Sequence, residues 1–318
     1  MKVVVVGGGS WGSVFAALVA ERGHDVTLAC RDPEQARAIA ATGRNPRYVT
    51  DADLSGVRAA PLDEAPVAEA DVVCLAVPSR AFGSVCAALP GEAPLLGLTK
   101  GLDPETGKRL SEVVAGRRVA VLTGPNHAEE IAQGLPAAAV IASADEELAV
   151  ELQHAVISTR FRVYVNTDLV GVELCAAAKN VMALAAGGVD GFGFGDNAKA
   201  ALITRGLAEM ARLGAACGGR GETFSGLAGM GDLVVTCFSR YSRNRRAGEL
   251  IARGLAPQAV EAEIGMVVEG ITTAPVLRDL AHRLGVELPI TEAVCQVLEG
   301  RDATELVSGL MSRKPTDE

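Results

Sequence analysis

The chain opens with an apolar run, Lys2–Val6 (KVVVV), then a glycine-rich loop, then a stretch from Trp11 to Arg22 whose apolar positions recur at helical spacing until Gly23 ends it. The alternation continues through the first half. Strands are predicted at Asp25–Cys30, Val57–Ala60, Asp71–Val77, Pro94–Leu98, Arg118–Leu122, Ala137–Ala142 and Phe161–Val165, with helices at Pro33–Ala41, Arg80–Leu89, His127–Gln133 and Glu146–Val156. Strands that are almost wholly apolar, separated by helices, predict a parallel sheet covered on both faces. After about Thr167 the strand pattern stops. Helices are predicted at Asp168–Ala186, Asn197–Cys217, Arg243–Ala252, Glu269–Leu284 and Thr291–Glu299. The pattern therefore divides the chain into a doubly wound α/β domain at 1–167 and an all-helical C-terminal domain at 168–318, with Asp168–Ala186 a candidate for the joining helix. The polar end, Ser312–Glu318, is expected to fray.

Composition narrows the function. The 318 residues are 49% apolar and 22% charged, enough for two folded domains and unlike a disordered chain. Apolar runs are interrupted by charge too often to predict a membrane span, and the four N-terminal valines are too few for a signal-peptide core. The net charge of −9 argues against general nucleic-acid binding, so an anionic ligand would have to be met by locally concentrated positive charge. Seven scattered cysteines, none in C-x-x-C spacing, read as small buried hydrophobes in a reducing cytoplasm, not as a disulfide frame or a metal site.

Gly7-Gly8-Gly9-Ser10-Trp11-Gly12 fits G-x-G-x-x-G, and it stands between a strand and a helix, as a dinucleotide-binding (Rossmann-type) fold requires. Gly7 would make the tight turn, Gly9 would admit a pyrophosphate close to the backbone, and Gly12 would pack helix on strand. The second strand ends in Arg31-Asp32. An arginine there suits the 2′-phosphate of NADP(H), and an acid the ribose hydroxyl of NAD(H). Alternatively Arg31 is merely solvated and Asp32 caps the helix that Pro33 opens.

Ligands of such sheets bind beyond the C-terminal strand ends. Three ends carry suitable groups: Val77-Pro78-Ser79, Thr99-Lys100-Gly101 and Thr123-Gly124-Pro125-Asn126, though each could be a plain turn. Lys179, on a predicted helix, has only Cys175, Ala176, Met182 and Ala183 at i±3 and i±4. A lysine in such surroundings should have a pKa lowered toward neutrality and could act as an acid or base, unless it extends its ammonium to solvent. Asp232 follows the glycine-rich GLAGMG, read as a tight turn; it could pair with a lysine or cap a helix. Residues 240–246, RYSRNRR, form the one dense basic cluster, where Ser242 could cap the next helix and Arg243 and Asn244 could join an anion site. A solvated charged turn is the alternative.

Taken together, GGGSWG, the TKG around Lys100, TGP, AAKNVMALAAGGVDGFGFGDNAKAALITRGLAEM, GLAGMGDLVVTC, SRNRR and VVEG give the chain a resemblance, over essentially its full length, to the prokaryotic type of NAD(P)-dependent glycerol-3-phosphate dehydrogenase. Its Asn126-His127 departs from the Ser-Phe usual in bacterial members. The resemblance implies reversible reduction of dihydroxyacetone phosphate to sn-glycerol 3-phosphate by a dimeric cytoplasmic enzyme serving phospholipid synthesis, with no nucleic acid and no membrane insertion. It implies catalytic roles for Lys179, Lys100 and Asp232. Cofactor contacts would come from Gly7, Gly9, Ser10, Trp11, Gly12, Arg31, Lys100, Ala128, Arg243, Val267 and Glu269. Substrate contacts would come from Lys100, Gly124, Asn126, Lys179, Asn180, Asp232, Thr236, Ser242, Arg243 and Asn244. Two other readings stay open: a related dehydrogenase of a 3-hydroxyacid or sugar acid, and a regulator that senses NADP(H) without turnover.

The place of Arg31 gives a test. Arg31→Ala should weaken NADPH binding roughly tenfold to a hundredfold, the worth of one charge-assisted phosphate contact, and barely change NADH binding. Fluorescence titration of both nucleotides checks it.

Overall fold

A computed structural model describes residues 1–302, so the tail Ser312–Glu318 lies outside the described residues. Among the described residues, eight strands form one sheet: β1 (Lys2–Val6), β2 (Asp25–Cys30), β3 (Arg58–Pro61), β4 (Val72–Leu75), β5 (Leu95–Gly97), β6 (Val119–Thr123), β7 (Ala137–Ala142) and β8 (Phe161–Asn166). Their order is β3-β2-β1-β4-β5-β6-β7-β8. Helices α1 (Ser10–Glu21), α2 (Pro33–Thr42), α3 (Ser79–Ala88), α4 (Ala128–Ala132) and α5 (Glu146–Val156) lie among the strands. Eight more follow: α6 (Leu169–Phe192), α7 (Gly195–Ala216), α8 (Gly221–Ser225), α9 (Asp232–Phe238), α10 (Arg243–Ala252), α11 (Val260–Ile264), α12 (Glu269–Leu284) and α13 (Pro289–Leu298).

The apolar strands are explained by burial on both faces. Val3 and Val5 of β1 join one core cluster, while Val4 and Val6 join another on the opposite face. Successive side chains of a strand point to opposite faces, so both sets must be apolar. Farther along the sheet, Val121 of β6 and Val140 and Ala142 of β7 pack into the core of the helical region, where α6 covers the sheet.

The all-parallel expectation needs a correction at β7, which pairs antiparallel with β6 and parallel with β8. The reason is local. A parallel crossover must carry the chain back along the full strand, usually by a helix. α4 has five residues and cannot do so, so the chain turns at the same end of the sheet. That reversal keeps Gly124, Asn126 and α4 together at the C-terminal ends of the parallel strands.

The expected turn in GLAGMG is also different. Residues Leu227–Gly231 form a π-helical turn that runs straight into α9. Gly229 permits it, because a Cβ there would lie 2.1 Å from the Phe224 carbonyl oxygen.

α6 organises the helical region. Asp168 caps it, accepting from the Gly171 amide at 2.9 Å, the Arg220 amide at 2.8 Å and Thr223 Oγ1 at 2.6 Å. At 24 residues and mean hydropathy 1.5 it is long and apolar enough to cross a membrane, but 83% of its most apolar window is buried inside the protein. It meets α10 backbone to backbone. A Cβ on Gly187 would fall 1.8 Å from the Arg245 carbonyl oxygen, and one on Gly248 would fall 1.9 Å from that of Leu184. Even one methyl must therefore push the helices apart. Gly248→Ala should cost about 1–3 kcal/mol of stability in urea unfolding, as overpacking does, despite the higher helix propensity of alanine.

Candidate active site

A cavity of about 490 Å³ lies between the C-terminal ends of the parallel strands and the helical region. Of the residues that the resemblance assigns to cofactor or substrate, all border it except Gly12 and Gly124. At one end is the glycine loop. Gly7 has φ of +119°, and a Cβ on it would lie 2.5 Å from the Ala76 carbonyl oxygen. A Cβ on Gly12 would lie 2.0 Å from the Gly7 carbonyl oxygen, whereas one on Gly9 would meet nothing within 4 Å. Gly7 and Gly12 thus serve the fold, and Gly9 leaves open space before the uncapped start of α1. Such an N-terminus, open to a backbone-close anion, fits a dinucleotide pyrophosphate.

Around the loop, Arg31 is exposed at the cavity mouth. Asp32 is already engaged: it accepts from the Glu34 amide at 2.9 Å as the cap of α2 and pairs with Arg47 at 2.6 Å. Trp11 packs on Phe15 and Phe161, and its buried indole Nε1–H has no hydrogen-bond partner. Ala128 is the first residue of α4. Glu269, at the start of α12, accepts from Ser79 N at 3.0 Å and Ser79 Oγ at 2.5 Å, tying the helical region to the start of α3. Val267 accepts from Arg243 Nη1 at 2.9 Å.

At the other end the cavity is enclosed and charged. Lys179 is only 4% exposed and Asp232 only 1%. Lys179 Nζ donates to Asp232 Oδ1 and, at 3.0 Å, to Thr236 Oγ1. Lys100 Nζ donates to Asp232 Oδ2 at 3.0 Å, to Asn126 Oδ1 at 2.8 Å and to the Gly124 carbonyl at 3.2 Å. Thr123 Oγ1 and the Gly124 amide also donate to Asp232 Oδ2, at 3.0 and 3.2 Å. Asp232 is thus a pairing group and not a helix cap, and Lys179 does not reach solvent.

Burial, opposed by Asp232 and reinforced by Lys100, brings the Lys179 pKa down to about 7. Burial alone would raise the Asp232 pKa, but the two ammoniums outweigh it and hold the carboxyl well below its ordinary range. The third side is the basic turn. Ser242 caps α10 by accepting from the Arg245 amide at 3.2 Å, as the sequence suggests. Asn244 donates to Asn180 Oδ1 at 3.0 Å, and Asn180 in turn donates to the Lys100 carbonyl at 3.3 Å. The basic turn and the lysine cluster are therefore hydrogen-bonded to one another.

The sequence reading placed Thr123 and Ser79 at useful strand ends without naming their partners, Asp232 and Glu269, and it missed Arg47; each acts through a partner distant in the chain, which no local pattern reports. His127 stands beside Asn126 in plain view, but its ring is turned into the site only by the fold.

A dinucleotide crevice that ends on a buried lysine–carboxylate cluster, closed by a helical domain, defines a nicotinamide-dependent dehydrogenase of two-domain build. The chain belongs to the NAD-dependent glycerol-3-phosphate dehydrogenase family, whose N-terminal model matches residues 2–149 and whose C-terminal model matches residues 168–308. It is 47% identical to glycerol-3-phosphate dehydrogenase [NAD(P)+] of Moorella thermoacetica, over 100% of this chain and 97% of that one. It is 44% identical to the enzyme of the same name from Chlorobium phaeobacteroides, over 100% and 99%. Among solved structures, glycerol-3-phosphate dehydrogenase from Coxiella burnetii superposes with a TM-score of 0.93 at 36% identity, over 98% of this chain and 99% of that one. A ketopantoate reductase of Ralstonia eutropha, at 18% identity and TM-score 0.60, shares the fold alone.

The cluster yields a stability test. Asp232→Asn keeps the size and removes the charge that both ammoniums face. Breaking such a buried pair should cost about 3 kcal/mol in urea unfolding at neutral pH, while Thr123→Val should cost about 1 kcal/mol.

Proposed function

We propose that this chain reversibly reduces dihydroxyacetone phosphate to sn-glycerol 3-phosphate with NAD(P)H, and that Lys179 moves the proton. The observation that carries the reading is the buried Lys179 ammonium, aimed by Asp232 and Thr236 at the inner end of the nucleotide cavity. We assign residues 1–167 to nucleotide binding and 168–318 to the substrate, in a cytoplasmic homodimer.

Gly9, Ser10, Trp11, Arg31, Ala128, Val267 and Glu269 would hold the dinucleotide, with Gly7 and Gly12 shaping the loop. Arg31 favours NADP(H), since the neighbouring Asp32 is engaged by the α2 cap and by Arg47. When bound, the nicotinamide supplies a hydride to the substrate carbonyl carbon. The residues do the rest. Lys179 donates its proton to the carbonyl oxygen as charge builds there. Lys100, held by Asn126 and Asp232, stabilises the same oxygen. Asp232 keeps both ammoniums oriented. In oxidation of glycerol 3-phosphate, neutral Lys179 takes the proton back. Ser242, Arg243 and Asn244 bind the phosphate at the start of α10, and the Asn180–Asn244 bond fixes the distance between phosphate and carbonyl. Binding at this remote group positions the reacting carbon.

The lowered Lys179 pKa sets the sign of the pH dependence. Reduction needs the ammonium, so its rate should fall as pH rises through about 7, and oxidation should rise over the same range. Lys179→Ala should lower turnover by about 10²–10⁴ and leave NADPH affinity unchanged. Following NADPH absorbance with dihydroxyacetone phosphate across pH, for parent and variant, checks both. A titration surviving in Lys179→Ala with the same midpoint would assign the proton to another group.

A further inference from the structure

Two polar atoms, Asn126 Nδ2 and His127 Nε2, are buried without a hydrogen-bond partner, and they sit on adjacent residues that line the cavity. Neither is explained by the fold or by the roles assigned above. Asn126 spends its carbonyl oxygen on the Lys100 ammonium, 2.8 Å away, which fixes the amide orientation and leaves Nδ2 as an unused donor. His127 precedes α4 without capping it. The Val235 backbone interacts with the ring, and Nε2 is the ring nitrogen left without a partner, so a proton held on the other nitrogen leaves Nε2 free to accept. Burial, with Lys179 and Lys100 adding to it, draws the imidazole pKa down to about 4, so the ring is neutral and Nε2 presents a lone pair.

A donor and an acceptor side by side constrain the group that would satisfy both. A phosphate or carbonyl oxygen has no proton to give the imidazole. A hydroxyl accepts with its oxygen and donates its proton, and so matches the pair. In the proposed substrate the unphosphorylated hydroxymethyl group is bonded directly to the carbonyl carbon, beside Lys100, to which Asn126 is already joined. We propose that His127 is a substrate-specificity residue whose Nε2 accepts the proton of the substrate's free hydroxyl, while Asn126 Nδ2 donates to its oxygen. This inference rests on the proposed dihydroxyacetone phosphate reductase activity and adds to it a reader for the end of the substrate opposite the phosphate. Without that hydroxyl, both buried atoms remain unpaired, and that cost is what separates the substrate from a deoxy analogue.

The experiment compares dihydroxyacetone phosphate with hydroxyacetone phosphate, which lacks the free hydroxyl. The parent enzyme should favour dihydroxyacetone phosphate in kcat/KM by about tenfold to a hundredfold. His127→Phe, close in size and unable to accept, should bring the two substrates within about threefold, chiefly by loss on dihydroxyacetone phosphate. His127→Gln, which regains an acceptor, should restore part of the preference. NADPH affinity should not move in either variant. An equal loss on both substrates in His127→Phe would make the residue structural and overturn the inference. A matching loss of NADPH affinity would also overturn it, assigning Nε2 to the cofactor. If the phenylalanine variant fails to fold, the parent ratio still decides, because a preference under about threefold leaves no hydroxyl reader to explain. Failure of the parent to reduce dihydroxyacetone phosphate at all is a separate result, and it would remove the functional reading itself.

Discussion

One buried carboxylate holds this site together. Asp232 is almost fully enclosed, yet both of its oxygens are bonded, one to Lys179 and the other to Lys100, Thr123 and the Gly124 amide. A lone ammonium in such surroundings would lose its proton, and two would repel one another. The carboxylate lets both stay. Its bonds also join three separate pieces of the fold: the ends of β5 and β6, the middle of α6, and the start of α9. A cavity wall assembled from such distant segments cannot shift one of its lysines without disturbing the others.

The electrostatics follow from that arrangement. The chain is acidic overall, at −9, so long-range attraction to an anionic substrate is weak. Positive charge is instead concentrated at the cavity, in Lys100 and Lys179 at its enclosed end and in the exposed Arg31, Arg47 and Arg243 around it. Burial strengthens the lysine–carboxylate interactions because little water remains to screen them. The same burial that lowers the Lys179 pKa also lowers that of His127.

The helical region sets distances. α6 carries Lys179 and Asn180, α10 begins at the basic turn, and the two helices touch through Gly187 and Gly248. Glycine is required by close approach here, not by backbone angle. The Asn180–Asn244 bond then links the basic turn to the lysine cluster. On the other side, Glu269 accepts from Ser79 and anchors α12 to the start of α3.

Local spacing along the chain was enough to reveal the α/β half, the helical half, the glycine loop and the Ser242 cap. It also predicted a lysine on an apolar helix face, because neighbours at i±3 and i±4 are set by helix geometry alone. Other features depended on contacts between distant residues. β7 runs antiparallel because α4 is too short to cross the sheet. The GLAGMG segment takes a π-helical turn in which Gly229 lies against the Phe224 backbone, five residues away, too close for any side chain. Lys179 and Asp232 lie 53 residues apart, and nothing in either local sequence names the other as its partner. His127 follows directly after a recognised residue, but its ring was turned inward against α9 by tertiary packing. The sequence by itself determined which elements form and which groups are available for chemistry, because periodicity and turn residues act over a few positions. Only the tertiary structure decided which groups meet, because burial and charge pairing act between segments far apart in the chain.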